Sequence, residues 1–397
     1  MVFSNGATET LNATVFIDAS NEGRLARRVN TACTTGRFDW PAQYLSSGEI
    51  GGSDFVARQQ ACSLVIKMKN LNPSYPNACE RYPGTDIASC IWSSSAPYED
   101  PNGLITAFNE AHKSEGLLLR PTNGGRDGRY SDEWWINTLL VFNVDGRAHY
   151  RDEASNTPFK VTRKFGYMTT DQAWIKAKNF VKTHKTEIER ALATFDGFSN
   201  ASIVMDDRGD PVVADELYIR ETVHMAIDST KRANNTNTNY HITLKEAKDA
   251  GSGPDPSAAD YANYATRIGL AEYSCDIHPY TPEDMKVNGR YVWGLPSFQK
   301  MYPGAENPKH PVYMPYQTLI TDYVANLLSP GYGASVCSYS WGEIRVISNL
   351  SVLGDAAGLA AAYCCKNNIY PYILWCDSAH MSALQQKIIA IHGRINK

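Results

Sequence analysis

The segment that most constrains the fold lies near the C-terminus, over residues 326–365, and reads NLLSPGYGASVCSYSWGEIRVISNLSVLGDAAGLAAAYCC. Its second half sets Gly354-Asp355-Ala356-Ala357-Gly358 ahead of Leu359-Ala360-Ala361-Ala362. That pattern predicts a turn opening into an alanine-rich helix. Gly354 supplies backbone freedom at the turn, and Asp355 is a residue type whose carboxylate bonds the free amides of a first turn. Those amides, aligned with the helix dipole, welcome electron-rich groups. Ala356, Ala357 and Gly358 leave room for something flat against the helix start. The same small residues would equally serve a buried helix packed closely on its neighbours.

A chain of 397 residues with 43% hydrophobic content can bury a large core and is expected to hold two domains. The net charge of −4 and the absence of a long basic run argue against a nucleic-acid partner. Apolar stretches are too short and too interrupted for a membrane span. Nine cysteines, with no Cys-x-x-Cys spacing, point to buried thiols, not to a disulfide or zinc framework. Met1-Val2-Phe3 does not open a signal peptide, and the Asn-x-Ser/Thr triplets at Asn12, Asn200, Asn234 and Asn349 decide nothing about compartment. Localisation and oligomeric state stay open.

The N-terminal stretch reads as a strand and turn over residues 2–6 and a second strand over residues 13–18. This second strand is nearly continuous in apolar residues, as buried parallel strands are. Ala19-Ser20-Asn21-Glu22-Gly23 and a helix-forming Arg24-Leu25-Ala26-Arg27-Arg28 follow. No Gly-x-Gly-x-x-Gly fingerprint occurs in the chain. The nearest glycine cluster, Gly124-Gly125-Arg126-Asp127-Gly128, reads as a surface turn.

Further on, residues 61–69 partly alternate, as a half-buried strand does. Residues 70–133 read as an elaborated loop region around a short helix at 104–112. Residues 134–146 form a strand and turn in which one of Trp134 and Trp135 is expected in the core and the other at the rim. A continuous helix is predicted over 170–193 from its apolar spacing, and another over 382–392 with Leu384, Ile388 and Ile391 on one stripe. If residues 217–225 are helical, Arg220, Glu221 and His224 share a face. There is no His-Glu-x-x-His spacing in that segment, and no metal is expected. Residues 231–257 read as a polar surface excursion.

Taken in order, several of these stretches resemble the FAD-dependent oxidoreductase family, including its xanthan lyase-like group. The matching residues are VFIDASNEGRLA (15–26), INTLLVFNVDG (136–146), Arg220-Glu221-Thr222, YATRIGLAEY (264–273), YMPYQTLI (313–320) and the 326–362 stretch. Arg24, Gln317 and Tyr332 depart from the family pattern, which has an acidic residue at the first position and arginine at the other two. The resemblance implies an α/β fold: an interrupted Rossmann-type FAD-binding domain, lacking its N-terminal half, around an inserted α+β substrate domain. Residues 1–30 and 311–397 would form the first and 31–310 the second. It implies FAD contacts from Asp18, Ala19, Ser20, Glu22, Gly23, Gly331, Ser335, Arg345, Gly354, Asp355, Ala356, Ala357 and Gly358. Arg220 would anchor a small-molecule substrate and His224 would move a proton. Without the glycine-rich pyrophosphate turn, weak FAD retention by this chain is expected. Two rival readings are a carbohydrate-active hydrolase or lyase, using carboxylates among Glu221, Glu272 and Asp276, and a non-catalytic fragment.

Overall fold

The computed structural model describes residues 8–40, 42–50, 54–92, 100, 102–153, 159–225, 249–287, 290–291, 309–321 and 324–397. The expected strand and turn at 2–6 and most of the excursion at 231–257 lie outside these residues. The chain divides into two units. One joins Met1–Ala57, Thr222–Asp276 and Gly304–Lys397; the other joins Arg58–Glu221 and Ile277–Pro303. Residues 31–57 and 222–276 thus belong with the chain ends, because their strands pair there and not with the central sheet.

A period-two alternation organises the unit around Arg58–Glu221. In the strand Cys62–Lys69, Leu64, Ile66 and Met68 are fully buried while Val65 and Lys67 are half-buried, as one face on a core requires. Glu133–Val141 pairs antiparallel with it and turns Trp134 and Ile136 inward. Trp134 is fully buried, whereas Trp135 lies at the rim with the Lys67 ammonium 4.7 Å from its ring centre. These strands sit in a six-stranded sheet ordered Cys79–Arg81, Ala88–Trp92, Leu117–Arg126, Glu133–Val141, Cys62–Lys69, Ser202–Ile203.

Residues 70–133 are therefore not a loop region: they hold three strands of this sheet as well as the helix Leu104–His112. Pro121, Asn123, Gly124 and Gly125 hide the longest of them by breaking its apolar alternation. The pairing itself calls for Gly124, where a Cβ would stand 2.6 Å from Ile136 Cδ1. The helix expected over 170–193 is two helices, Thr170–Thr183 and Lys185–Leu192, broken at His184 with φ −105 and ψ 21. The first begins in a capping box between Thr169 and Gln172. Ala173, Ala177, Phe180, Val181, Ile188 and Leu192 from the pair fill the core beneath the sheet.

The other unit uses short strands and longer helices. Phe16–Ile17 pairs in parallel with Leu327–Leu328, Cys33–Thr35 antiparallel with Val223–Met225, and Arg267–Ala271 antiparallel with Val312–Pro315. The strand expected over 13–18 is shorter than the apolar run and half-exposed, with Ile17 42% accessible. Leu353, Ala356, Ala357, Ala360 and Cys364 of the helix Ile347–Asn367 pack with Ile268, Met314, Leu384 and Ile388. The last helix, Ser378–Ala390, starts on the Asp377 carboxylate, which accepts from the amides of Ala379 and His380. It stops before Ile391, which is 50% exposed and not on the buried stripe. The fold is mixed α/β, and no helix among the described residues is long and apolar enough to cross a membrane.

Candidate functional site

Three segments far apart in sequence converge in the unit that carries both chain ends. The Phe16 amide donates to the Asn326 carbonyl at 2.9 Å and the Asp18 amide to Leu328 at 2.7 Å. Beyond the strand, the Asp18 carboxylate folds the next turn: it accepts from the Ser20 hydroxyl at 2.6 Å and from the Ala26 amide at 2.8 Å. This carboxylate therefore shapes the 18–26 loop by capping its short helix. Glu22 is buried and ion-paired with Arg24 at 3.3 Å, while Ala19 is exposed and Ser20 half-buried.

Close backbone approach explains two glycines. Gly23 has φ +59, and a Cβ there would stand 2.6 Å from Val223 Cγ2. A Cβ on Gly333 would stand 2.6 Å from Ser329 Oγ and 3.8 Å from Gly23 Cα. Side chains tie the same crossing: Thr222 Oγ1 donates to the Asn21 carbonyl at 2.6 Å, and Ser335 Oγ donates to the Met225 carbonyl at 2.7 Å. Gly331, at φ +78, opens the other way: apart from its chain neighbours, no atom of the described residues lies within 4 Å of its Cβ position.

Arg220 and His224 are not neighbours on a helix face, because the segment is extended and residues Val223–Met225 form a strand. The strand pairing His224↔Thr34 overrides the local helix spacing. The two residues also fall in different units. The Arg220 guanidinium is fully buried and donates to the Ala61 carbonyl at 3.0 Å and Ser63 Oγ at 2.6 Å. His224 is buried with its ring edge-on to Trp341, centroids 5.6 Å apart, and Tyr332 meets the same indole at 5.2 Å.

The turn expected at Gly354–Gly358 is not a turn. These residues lie inside the helix Ile347–Asn367, where Ala356 and Ala357 pack in the core while Gly354, Asp355 and Gly358 face outward. The buried spacing from Asn349 through Leu353 to Ala360 carries the helix back past the glycine, which a helix interior tolerates at a cost of about 1 kcal/mol. The helix instead begins after the extended Val346, which offers no side-chain cap. Just before it, Arg345 is buried and donates to the Asp276 carbonyl at 2.8 Å and carboxylate at 2.9 Å. Of the other carboxylates considered for hydrolysis, Glu221 accepts from the Gln60 amide at 3.1 Å, and Glu272 is 70% exposed at 3.9 Å from Arg394.

Sequence reasoning missed Glu343. It sits in the short helix Trp341–Ile344, fully buried, and neither carboxylate oxygen has a hydrogen-bond partner among the described residues. Burial pushes its carboxyl up to about 8. An acid set between Trp341 and Ile344, in a stretch with little polar surface, was the available signal. Burial also raises the neighbouring thiols, Cys337 to about 12 and Cys275 well above the usual thiol range. Such burial disfavours the thiolate form that a nucleophile needs.

No curated protein and no solved structure matches the chain significantly. The family described as FAD dependent oxidoreductase matches over residues 1–388, which takes in both units of the chain up to the last helix. The chain belongs to the FAD-dependent oxidoreductases, and its cofactor is FAD.

Proposed function

We propose that this flavoprotein oxidises an organic small molecule, with carbohydrates among the candidates. The ring side of the flavin would be held by the 18–23 loop, the 329–335 loop and the first turn of the helix Ile347–Asn367. The carrying observation is the parallel pairing of Phe16–Ile17 with Leu327–Leu328, which joins the two stretches that the family resemblance assigns to FAD. The unit holding both chain ends is read as the Rossmann-type flavin half, and the sheet unit as the substrate half.

Two features support the fit. The open side of Gly331 leaves space at the 329–335 loop, and the uncapped helix start after Val346 offers its dipole to an electron-rich edge. When bound, FAD supplies two-electron transfer from the substrate. The chain's own part is to orient and to manage protons. Protonated at neutral pH, Glu343 would hold a proton for an acceptor on the ligand. His224, against Trp341, is the second proton carrier. Arg345 positions the Asp276 segment, and Arg220 positions the strand Cys62–Lys69.

The test is an FAD titration of the purified chain and of Glu343→Gln across pH 6–10, followed by flavin fluorescence. Wild-type affinity should weaken as pH passes 8, where Glu343 would place a buried charge beside the ligand, and the variant should give a flat profile. Parallel profiles would remove Glu343 from the site. No FAD uptake by either protein would overturn the assignment of these loops to the flavin.

A further inference from the structure

Two tetrapeptides of one form, His112-Lys113-Ser114-Glu115 and His184-Lys185-Thr186-Glu187, stand 72 positions apart in the chain. Each histidine occupies a break between helical segments. His112, at φ −111 and ψ 2, separates Leu104–His112 from the turn Lys113–Glu115. His184, at φ −105 and ψ 21, separates Thr170–Thr183 from Lys185–Leu192. Packing of Leu104–His112 on Lys185–Leu192 brings the two motifs together, with imidazole centroids 4.5 Å apart.

The carboxylates close around these rings. Glu115 Oε1 lies 2.8 Å from His112 Nδ1, and Glu187 reaches His112 Nε2 at 3.3 Å and His184 Nδ1 at 3.4 Å. Ligand atoms of His112, Glu115 and His184 all lie within 4.8 Å of one another. Tetrahedral zinc sets its donors about 3.4 Å apart, so small rotamer changes would close the set. Carboxylate oxygens face both ring nitrogens of His112. The neighbouring lysines are engaged elsewhere: Lys113 bonds Glu110 and Lys185 bonds Glu189, each at 2.7 Å.

We propose that His112, His184 and Glu115 bind one divalent first-row transition-metal ion of the zinc class, with Glu187, on the other nitrogen of His112, as an outer-shell partner. Glu115 supplies a charged oxygen donor, and two imidazoles favour such an ion over calcium or magnesium. Phe108 and Phe180 form a dry wall behind the rings, with centroids 4.6–4.9 Å from them, while Glu115 and Glu187 are about half-exposed and leave an entry path. The ion would lock the break at His184 to the end of the helix Leu104–His112, a structural role independent of the flavin and contrary to the expectation of no metal.

The experiment uses the full chain, stripped with EDTA and titrated with Zn²⁺ against a chromophoric chelator, with melting followed in parallel. One Zn²⁺ per chain should bind and raise the melting temperature. The double variants His112→Gln/His184→Gln and Glu115→Gln/Glu187→Gln should each bind at least the roughly 10–100-fold more weakly that loss of even an outer-shell partner produces. Because the two glutamates are half-exposed, the second variant keeps the test decisive if the first fails to fold. Failure to take up stoichiometric Zn²⁺, or unchanged affinity in the folded glutamine variants, overturns the proposal.

Discussion

Replacing Glu343 by Gln should stabilise the protein at alkaline pH and change little in acid. The carboxyl is fully buried, without a protein partner for either oxygen among the described residues, and burial alone lifts it from 4.5 to about 8. The folded state therefore binds this proton more tightly than the unfolded chain does. The associated stability is complete below about pH 4.5 and is lost as pH rises through about 8. At about 1.4 kcal/mol for each pH unit between the two values, the full loss is on the order of 5 kcal/mol. For a unit of this size that corresponds to roughly 10–20 °C in melting temperature. Melting curves of wild type and Glu343→Gln, recorded in metal-free buffer without FAD at pH 5, 7 and 9, isolate the effect. The other titrating groups are common to both proteins. The difference between them should be near zero at pH 5 and largest at pH 9. A constant difference at all three values would mean that Glu343 is solvated or paired, and the assignment of a buried proton would fail.

Three further perturbations are informative. Glu49→Ala removes two 2.8 Å charge-assisted bonds from the buried Arg37 guanidinium, so it should cost about 3 kcal/mol in a denaturant titration. Gly23→Ala combines φ +59 with a 2.6 Å approach to Val223 Cγ2; it should lower stability by at least about 1 kcal/mol and weaken FAD binding, read from melting and flavin titration together. Burial opposes ionisation of Asp145, but Arg147, the Thr162 amide and Gln59 outweigh it and hold the carboxyl at about 2. Its contribution of about 2 kcal/mol is present above pH 3.8 and lost as pH falls through 2, so Asp145→Asn should be destabilised at pH 7 and should show a flatter acid-unfolding profile.

Family membership was legible in the sequence because it rests on the order of short motifs, and order survives where no single motif is specific. The strands Cys62–Lys69 and Glu133–Val141 and the helix Leu104–His112 were legible for a different reason. Their apolar periods are complete within one window, so a one-dimensional reading suffices. Tertiary structure alone decided the rest. Gly-Asp at 354–355 carries a local cap signal, but the buried stripe from Asn349 to Cys364 extends the helix through it and moves the helix start to Ile347. The strand Leu117–Arg126 is disguised by Gly124, whose value depends on how near Ile136 comes. Arg220 and His224 have helical spacing, but pairing of Val223–Met225 with Cys33–Thr35 extends them. Glu343 is an ordinary acid until the fold excludes water from it. The two His-Lys-x-Glu motifs mean little apart; helix packing across 72 positions makes them one cluster. In each case the deciding free energy is a contact between residues distant in the chain, and no local window contains it.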